Sequence, residues 1–467
     1  MACSDWRKKM TQVSPSKQIK KFNSFEKKYT YKEIILYLDT HWHVPIISLE
    51  PFKNILLAIN PSLLLIPSII ISGTSGKTIT AHFVTALFNQ ENISVTTFSS
   101  PHFIQYNEQI TTSSKQINNV EFEQHALILL DESNKQGHIL HSHELLFGIA
   151  LLHSFEKKTK VIIVEQKNIA DLDPVMLLTP RIIGITRIDK DQVNIQKAII
   201  SIFSSVSLTT FIVSADQNKQ NLSLINFETK TKKAQWLMPI RKIAPLPYPY
   251  QQIHGRCASL AERILTTYLH HFISQKNKKS LLNQPKKDRG RPTVQKQKEA
   301  LLDPKKTIQE FWEESKQLIP GKFQLLKTKK ASILLDSADS IDSFDNLLLG
   351  IRLLAYKLSI HTVFMIIGNN NSSLDHETFI KKMRYFFKRN NGKIFFCPVK
   401  IQPQNNSISW NPEQICNSAK NVKIRSTAYS SFEDAFDNAQ KESAEDSLIV
   451  ITGSNGIITE YWNHKHV

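Results

Sequence analysis

Residues 68–78 read Ser-Ile-Ile-Ile-Ser-Gly-Thr-Ser-Gly-Lys-Thr, and the fold turns on how they are read. A short β-branched run without polar alternation predicts a strand at 68–72, buried on both faces. The run ends at Gly73, and Ala81, Val84 and Leu87 share one face of a helix expected over 78–88. Strand, glycine loop and helix open a βαβ unit, which implies a mostly parallel sheet. Gly73 and Gly76 allow backbone amides to approach an anion closely, and a helix N-terminus adds partial positive charge. Lys77 can reach bridging phosphate oxygens, and Thr78 or Thr80 can turn a hydroxyl toward a metal. The loop is shorter than the common G-x-x-x-x-G-K-[ST], because position 71 is Ile. A capping turn with a surface lysine is the bland alternative; the flanking strand and helix favour a nucleotide.

Outward from this unit the alternation continues. Strands are expected at 95–98, 161–164, 182–185 and 210–213, with helices at 121–130, 144–155 and near 257–272. Two short helices fit residues 31–60. The stretch 274–306 is rich in Lys, Gln and Pro, poor in apolar residues, and reads as a linker or insertion. Beyond it come strands at 333–335, 363–367, 393–396 and 447–451, and helices at 343–356, 376–387 and 432–442. The expected organisation is therefore a basic segment 1–30, a central ATP-binding domain 31–273, a linker 274–306 and a C-terminal domain 307–467. The fold class is α/β: a mostly parallel, phosphate-loop-type N-terminal ATPase domain plus a smaller Rossmann-like C-terminal α/β domain.

Composition excludes several classes. With 59 Lys+Arg against 41 Asp+Glu the formal charge is +18, and 41% of residues are hydrophobic, a globular balance. Segments 1–30 (eight basic, two acidic) and 276–306 (eleven basic, three acidic) hold fourteen of the eighteen surplus charges. No aromatics interleave with the charges of 276–306, so solvated segments are favoured over a nucleic-acid partner. The charged N-terminus is followed by no apolar run of signal-peptide type, and the apolar stretch 55–71 is broken by Pro61 and Pro67, so no membrane span is expected. Cys3, Cys257, Cys397 and Cys416 have neither zinc nor disulfide-framework spacing, and a reduced cytoplasm is the expected compartment. His141-Ser-His143-Glu144 could be read as a metal cluster, but its place before an apolar helix favours Ser142 as a helix cap.

Further landmarks are Ser99-Ser-Pro-His102, Glu165 at a strand end, Pro320-Gly-Lys-Phe323, Asp336-Ser-Ala-Asp-Ser340 and Val450-Ile-Thr-Gly-Ser454. Together with the 73–78 loop, in this order, they resemble the folylpolyglutamate synthase/dihydrofolate synthase family of the Mur ligase superfamily. The likeness runs from about Tyr31 to Tyr461. It implies an ATP-dependent ligase that joins glutamate to a folate or dihydropteroate through an acyl phosphate. It further implies Lys77 and Glu165 as catalytic residues. Gly73, Thr74, Ser75, Gly76, Lys77, Thr78, Lys322 and Asp336 would contact ATP, and Ser100 and Glu165 would hold Mg²⁺. A cytoplasmic monomer is expected, with small-molecule substrates only.

Several positions depart from the family pattern. Gln192, beside Asp191, stands where the family has a metal-binding histidine; Asp189 or Asp191 could supply an oxygen instead. No lysine occurs between Ala198 and Asn218, where the family carries a carbamylated one, unless Lys197 serves. Lys322 replaces an arginine, keeping the charge but not the bidentate geometry. Asp339 replaces a histidine near the α-phosphate. Like charges about 4 Å apart at an effective dielectric near 20 cost roughly 4 kcal/mol, unless a cation bridges them. The alternative function is a catalytically impaired relative that binds a nucleotide or partner without turnover.

Overall fold

The computed structural model describes residues 29–100, 102–167, 172–188, 195–244, 246, 252–273, 308–314, 319–328, 330–371, 374–400, 403 and 409–466. The expected linker 274–306, almost all of the basic segment 1–30, and Asp189, Asp191 and Gln192 lie outside these residues.

Strand β1 (Ser68–Ser72) is buried at every position and sits inside an eight-stranded sheet. Its parallel neighbours are β5 (Val161–Glu165) and β6 (Ile182–Ile185). Beyond β5 lies β2 (Val95–Phe98), parallel, then the antiparallel β3 (Ile110–Thr112) and β4 (Lys115–Gln116). Beyond β6 come β7 (Phe211–Ser214) and β8 (Gln235–Trp236). Runs of Ile and Val suit this centre, because both faces of a parallel sheet are covered by helices.

One face carries α1 (Tyr31–Thr40), α2 (Glu50–Ile59), α4 (Asn119–Gln136) and α5 (Ser142–Glu156), packed around Phe52, Phe122 and Phe147. The other carries α3 (Lys77–Gln90), which packs along α8 (Gln252–Phe272) around Phe83, Phe88 and Leu265. Helices α6 (Ile195–Ile202) and α7 (Lys219–Thr231) complete the lobe. The short α9 (Ile308–Glu314) falls in the C-terminal domain expected from the sequence. Instead Phe311 and Trp312 join the core around Phe83, and Trp312 Nε1 donates to Glu262 at 2.7 Å. The chain therefore passes to the second lobe after this helix.

That lobe is a six-stranded sheet in the order β13 (Ser426–Ala428), β12 (Asn391–Phe396), β11 (Thr362–Ile367), β14 (Ser447–Thr452), β10 (Ser332–Asp336), β9 (Gln324–Lys327). Among these described strands only the β9–β10 pair is antiparallel. Helices α10 (Ile341–Leu358), α11 (His376–Phe387) and α12 (Pro412–Asn421) cover one face, and α13 (Phe432–Glu442) and α14 (Asn455–His466) the other. The lobes meet at an ion pair between Arg187 and Asp342, 3.0 Å apart. They also meet where Phe103 packs against Gly321: a Cβ there would come within 2.6 Å of the Phe103 ring. Cys257, Cys397 and Cys416 are buried free thiols, and no helix among the described residues is long and apolar enough to cross a membrane.

Candidate functional site

The strand of isoleucines delivers its chain end to the loop at 73–78, whose path is set by two glycines. Gly73 has φ +123° and Gly76 φ +88°, values that side chains rarely tolerate. A Cβ on Gly73 would collide with the Thr186 hydroxyl, and one on Gly76 would come within 2.7 Å of Cys257 Sγ. The loop is anchored from β6: Thr74 N and Ser75 N donate to the Arg187 carbonyl at 2.9 and 3.1 Å. Lys77 opens α3 and folds back, its Nζ donating to the Gly73 carbonyl at 2.9 Å. Gly73 lies beneath the cleft wall, whereas Thr74 to Thr78 line the cleft directly.

Three oxygen-bearing residues meet beside Lys77. Thr78 Oγ1 donates to Glu165 Oε1 at 3.1 Å, and Ser100 N donates to Glu165 Oε2 at 3.3 Å. These residues come from the start of α3, the end of β2 and the end of β5, which parallel pairing lays side by side. Thr80, the other hydroxyl considered from the sequence, is fully buried, so Thr78 is the residue that faces the cleft. Glu165 is 5% exposed, and burial pushes its carboxyl above the usual range, opposed by the charges of Lys77 and Lys322 and by the two hydrogen bonds. Glu165, Ser100 and Thr78 present hard oxygen donors, one of them a carboxylate whose charge is costly without a cation. That set fits a divalent ion completed by phosphate oxygens. Among the described residues no group of three or more His, Cys, Asp and Glu could hold a metal by itself.

The second lobe supplies the opposite wall of the cleft, whose volume is about 1560 Å³. Lys322 Nζ donates to Ser337 Oγ at 2.6 Å and acts electrostatically on Glu165, Asp336 and Asp339. Asp336 ends β10; Phe323 N donates to its Oδ2 at 2.9 Å, and burial pushes its carboxyl up to about 6. Asp339 also lines the cleft. Its side chain has access to water there, yet the surrounding lobes raise its pKa, with Lys322 and Lys77 opposing. Lys77 and Lys322 thus face Glu165, Asp336 and Asp339 around one void.

Some functional candidates escaped the sequence reading. The expected cap Ser142 instead donates to the Leu38 carbonyl; His141 is the N-cap, its side chain accepting from His143 N, and Glu144 completes the capping box. His143 pairs with the buried Asp173, Nε2 to Oδ1 at 3.2 Å. Lys167 lays its Nζ 3.8 Å from the centre of the Trp42 ring. These residues line the far end of the same cleft. For Lys167 and Asp173 the sequence signal was that they follow Glu165, whereas His141 and His143 stood out only as a possible metal cluster. Lys197 is exposed and lines the cleft as well.

Fold and site define a two-lobed α/β protein whose glycine loop at 73–78 faces the second lobe across a cleft. Among solved structures the chain is similar to Mycobacterium tuberculosis folylpolyglutamate synthase complexed with ADP: 16% identity over 93% of this chain and 98% of that one, with a TM-score of 0.72. It is similar to the bifunctional folylpolyglutamate synthase/dihydrofolate synthase of Yersinia pestis complexed with AMPPNP and Mn ion: 16% identity, 95% and 100% coverage, TM-score 0.67. It is likewise similar to E. coli FolC in complex with DHPP and ADP: 14% identity, 95% and 99% coverage, TM-score 0.68. No protein-family model and no curated protein sequence matches the chain. The likeness, over nearly the whole length, is one of fold: the chain has the two-domain architecture of these synthases.

Proposed function

We propose that the chain is an ATP-dependent carboxylate–amine ligase that adds glutamate to a folate or dihydropteroate acceptor. The supporting observation is the hydrogen-bonded trio of Thr78, Glu165 and Ser100 beside Lys77, faced by Lys322 across the cleft. The acceptor carboxylate attacks the γ-phosphorus of ATP, forming an acyl phosphate and releasing ADP. The glutamate amine then attacks the acyl carbon, phosphate leaves, and the amine loses a proton as the amide forms. Charge spreads over the phosphoryl oxygens during transfer. The loop amides of Gly76, Lys77 and Thr78 and the Lys77 ammonium meet that charge from one lobe, and Lys322 meets it from the other. Asp336 takes the ribose hydroxyls. Ser100 and Glu165, with Thr78 beside them, hold Mg²⁺, which when bound supplies further neutralisation of the phosphates. The two lobes enclose the acyl phosphate and keep water from it.

We assign residues 31–273 and the helix 308–314 to the N-terminal lobe and 319–466 to the C-terminal lobe, and read the protein as a cytoplasmic monomer. Fold likeness to proteins solved with ADP, with AMPPNP and Mn ion, and with DHPP supports the nucleotide, divalent-cation and acceptor readings. The test is an ADP-release assay with glutamate, offering dihydropteroate and tetrahydrofolate separately. Acceptor- and glutamate-dependent release that Lys77→Ala abolishes is expected. Unchanged turnover in that variant refutes the assignment, and ATP binding without release restores the non-catalytic reading.

A further inference from the structure

Beyond the phosphate end, the cleft runs into a chamber in which Trp42 is surrounded by imidazoles. His141 meets it edge-on at 5.6 Å, and His143 stacks at 6.4 Å between Trp42 and Phe98. One ring face is covered by the Lys167 ammonium. A lysine on an aromatic face is commonly no more than packing, worth about 0.5–2 kcal/mol. Three features set Lys167 apart.

First, among the described residues no oxygen accepts a hydrogen bond from its Nζ and no carboxylate pairs with it directly, although it lines the cleft. Asp173 acts on it only through space. That carboxylate is already engaged: Oδ1 by His143 Nε2 and by Val175 N at 3.1 Å, Oδ2 by Lys167's own backbone N at 2.8 Å. Second, His141 does not compete as a cation: burial, with Lys167's charge adding to it, holds it at about 4, so it is neutral near pH 7. A desolvated ammonium with three N–H groups to place is a strong donor to an anion. Third, Lys167 follows Glu165 by two residues, so their Cα atoms are at most about 7 Å apart. Both side chains line the one cleft.

We propose that Lys167 is a specificity-determining residue whose ammonium, laid on Trp42, binds a second carboxylate of the acceptor, distinct from the one activated by ATP. The preferred acceptor class is then a dicarboxylate that already ends in glutamate, rather than a monocarboxylate such as dihydropteroate. This rests on the ligase reading above and narrows its substrate.

Binding calorimetry on the full chain, with AMPPNP and Mg²⁺ present, tests it without requiring turnover. The probes are tetrahydrofolate and its α-carboxamide analogue, which differ only in the carboxylate at issue. The wild type is expected to bind the acid about 10- to 100-fold more tightly, the range of one charge-assisted hydrogen bond. Lys167→Met should erase that ratio while leaving AMPPNP affinity within about twofold, and Lys167→Arg should restore part of it. Equal affinity of the wild type for acid and amide overturns the inference, as does failure to bind either. So does a ratio that survives in Lys167→Met. A chain that prefers the acid but releases no ADP refutes the ligase reading alone; a chain that turns over acid and amide alike refutes this inference alone.

Discussion

Replacing Glu165 by Gln should separate the energetics of the empty site from those of the loaded one. In the free chain the carboxylate is 5% exposed and its pKa is raised by burial. A raised carboxyl pKa means that the ionised form is disfavoured by folding, and that protonation relieves the penalty as pH falls. Gln keeps the volume and an oxygen for the Thr78 hydroxyl while removing the charge. The free variant should therefore be at least as stable as wild type, within the small loss from facing an amide nitrogen toward Ser100 N. The loaded state reverses this. Wild type with nucleotide and Mg²⁺ at 100 times the dissociation constant gains about 2.7 kcal/mol. For a lobe of this size that corresponds to roughly 5–10 °C in Tm. Losing this carboxylate ligand should lower affinity about 100-fold, again about 2.7 kcal/mol, which removes nearly the whole gain. The assay is thermal unfolding of both proteins, each free, with ATP and EDTA, and with ATP and Mg²⁺. An Mg²⁺-dependent shift in Glu165→Gln equal to that of wild type refutes the placement of the cation at Glu165.

Trp312 is fully buried, packs edge-on against Phe83 at 5.0 Å and hydrogen-bonds Glu262. Trp312→Ala should cost about 3–5 kcal/mol, seen as a fall in the N-terminal lobe's denaturation midpoint; a loss below about 1 kcal/mol would contradict the assignment of α9 to that core. His125 and His153, 4% and 3% exposed at the α4–α5 contact, are each held at about 4, chiefly by burial. Their unfolded pKa near 6.5 is higher, so the unfolded chain takes up protons first and stability is lost as pH falls from about 6.5 toward 4. The limit is about 3 kcal/mol per histidine. Urea midpoints at about pH 7 and pH 4.5, which bracket most of that window, should differ less in the His125→Gln/His153→Gln double variant than in wild type. An equal difference would refute the burial account.

Much of this architecture was legible locally. The run Ser68–Ser72 could only be a doubly buried strand, and the glycines after it could only be a turn, because both signals are carried by residues adjacent in sequence. Strands β2, β5, β6, β11 and β14 were found in the same way. Shorter edge strands such as β4 and β8 were not, since two exposed or half-exposed residues leave no periodicity to read. The cap at α5 was assigned to Ser142 on residue type, whereas burial against Leu38 drew that hydroxyl away and left His141 to cap.

The sequence alone settled that an isoleucine strand feeds a glycine loop and a lysine-headed helix, since backbone sterics and β-branching act over a few residues. It also offered Ser100, Glu165, Lys322 and Asp336 as separate polar positions at element ends. Tertiary structure alone determined that they share one void, because parallel strand order brings the ends of β1, β2 and β5 together across nearly a hundred residues. It likewise moved α9 into the first lobe, where Trp312 packs against Phe83 and donates to Glu262, and it laid Lys167 on Trp42. Such contacts depend on summed burial and field across the whole fold, which no short window of sequence contains.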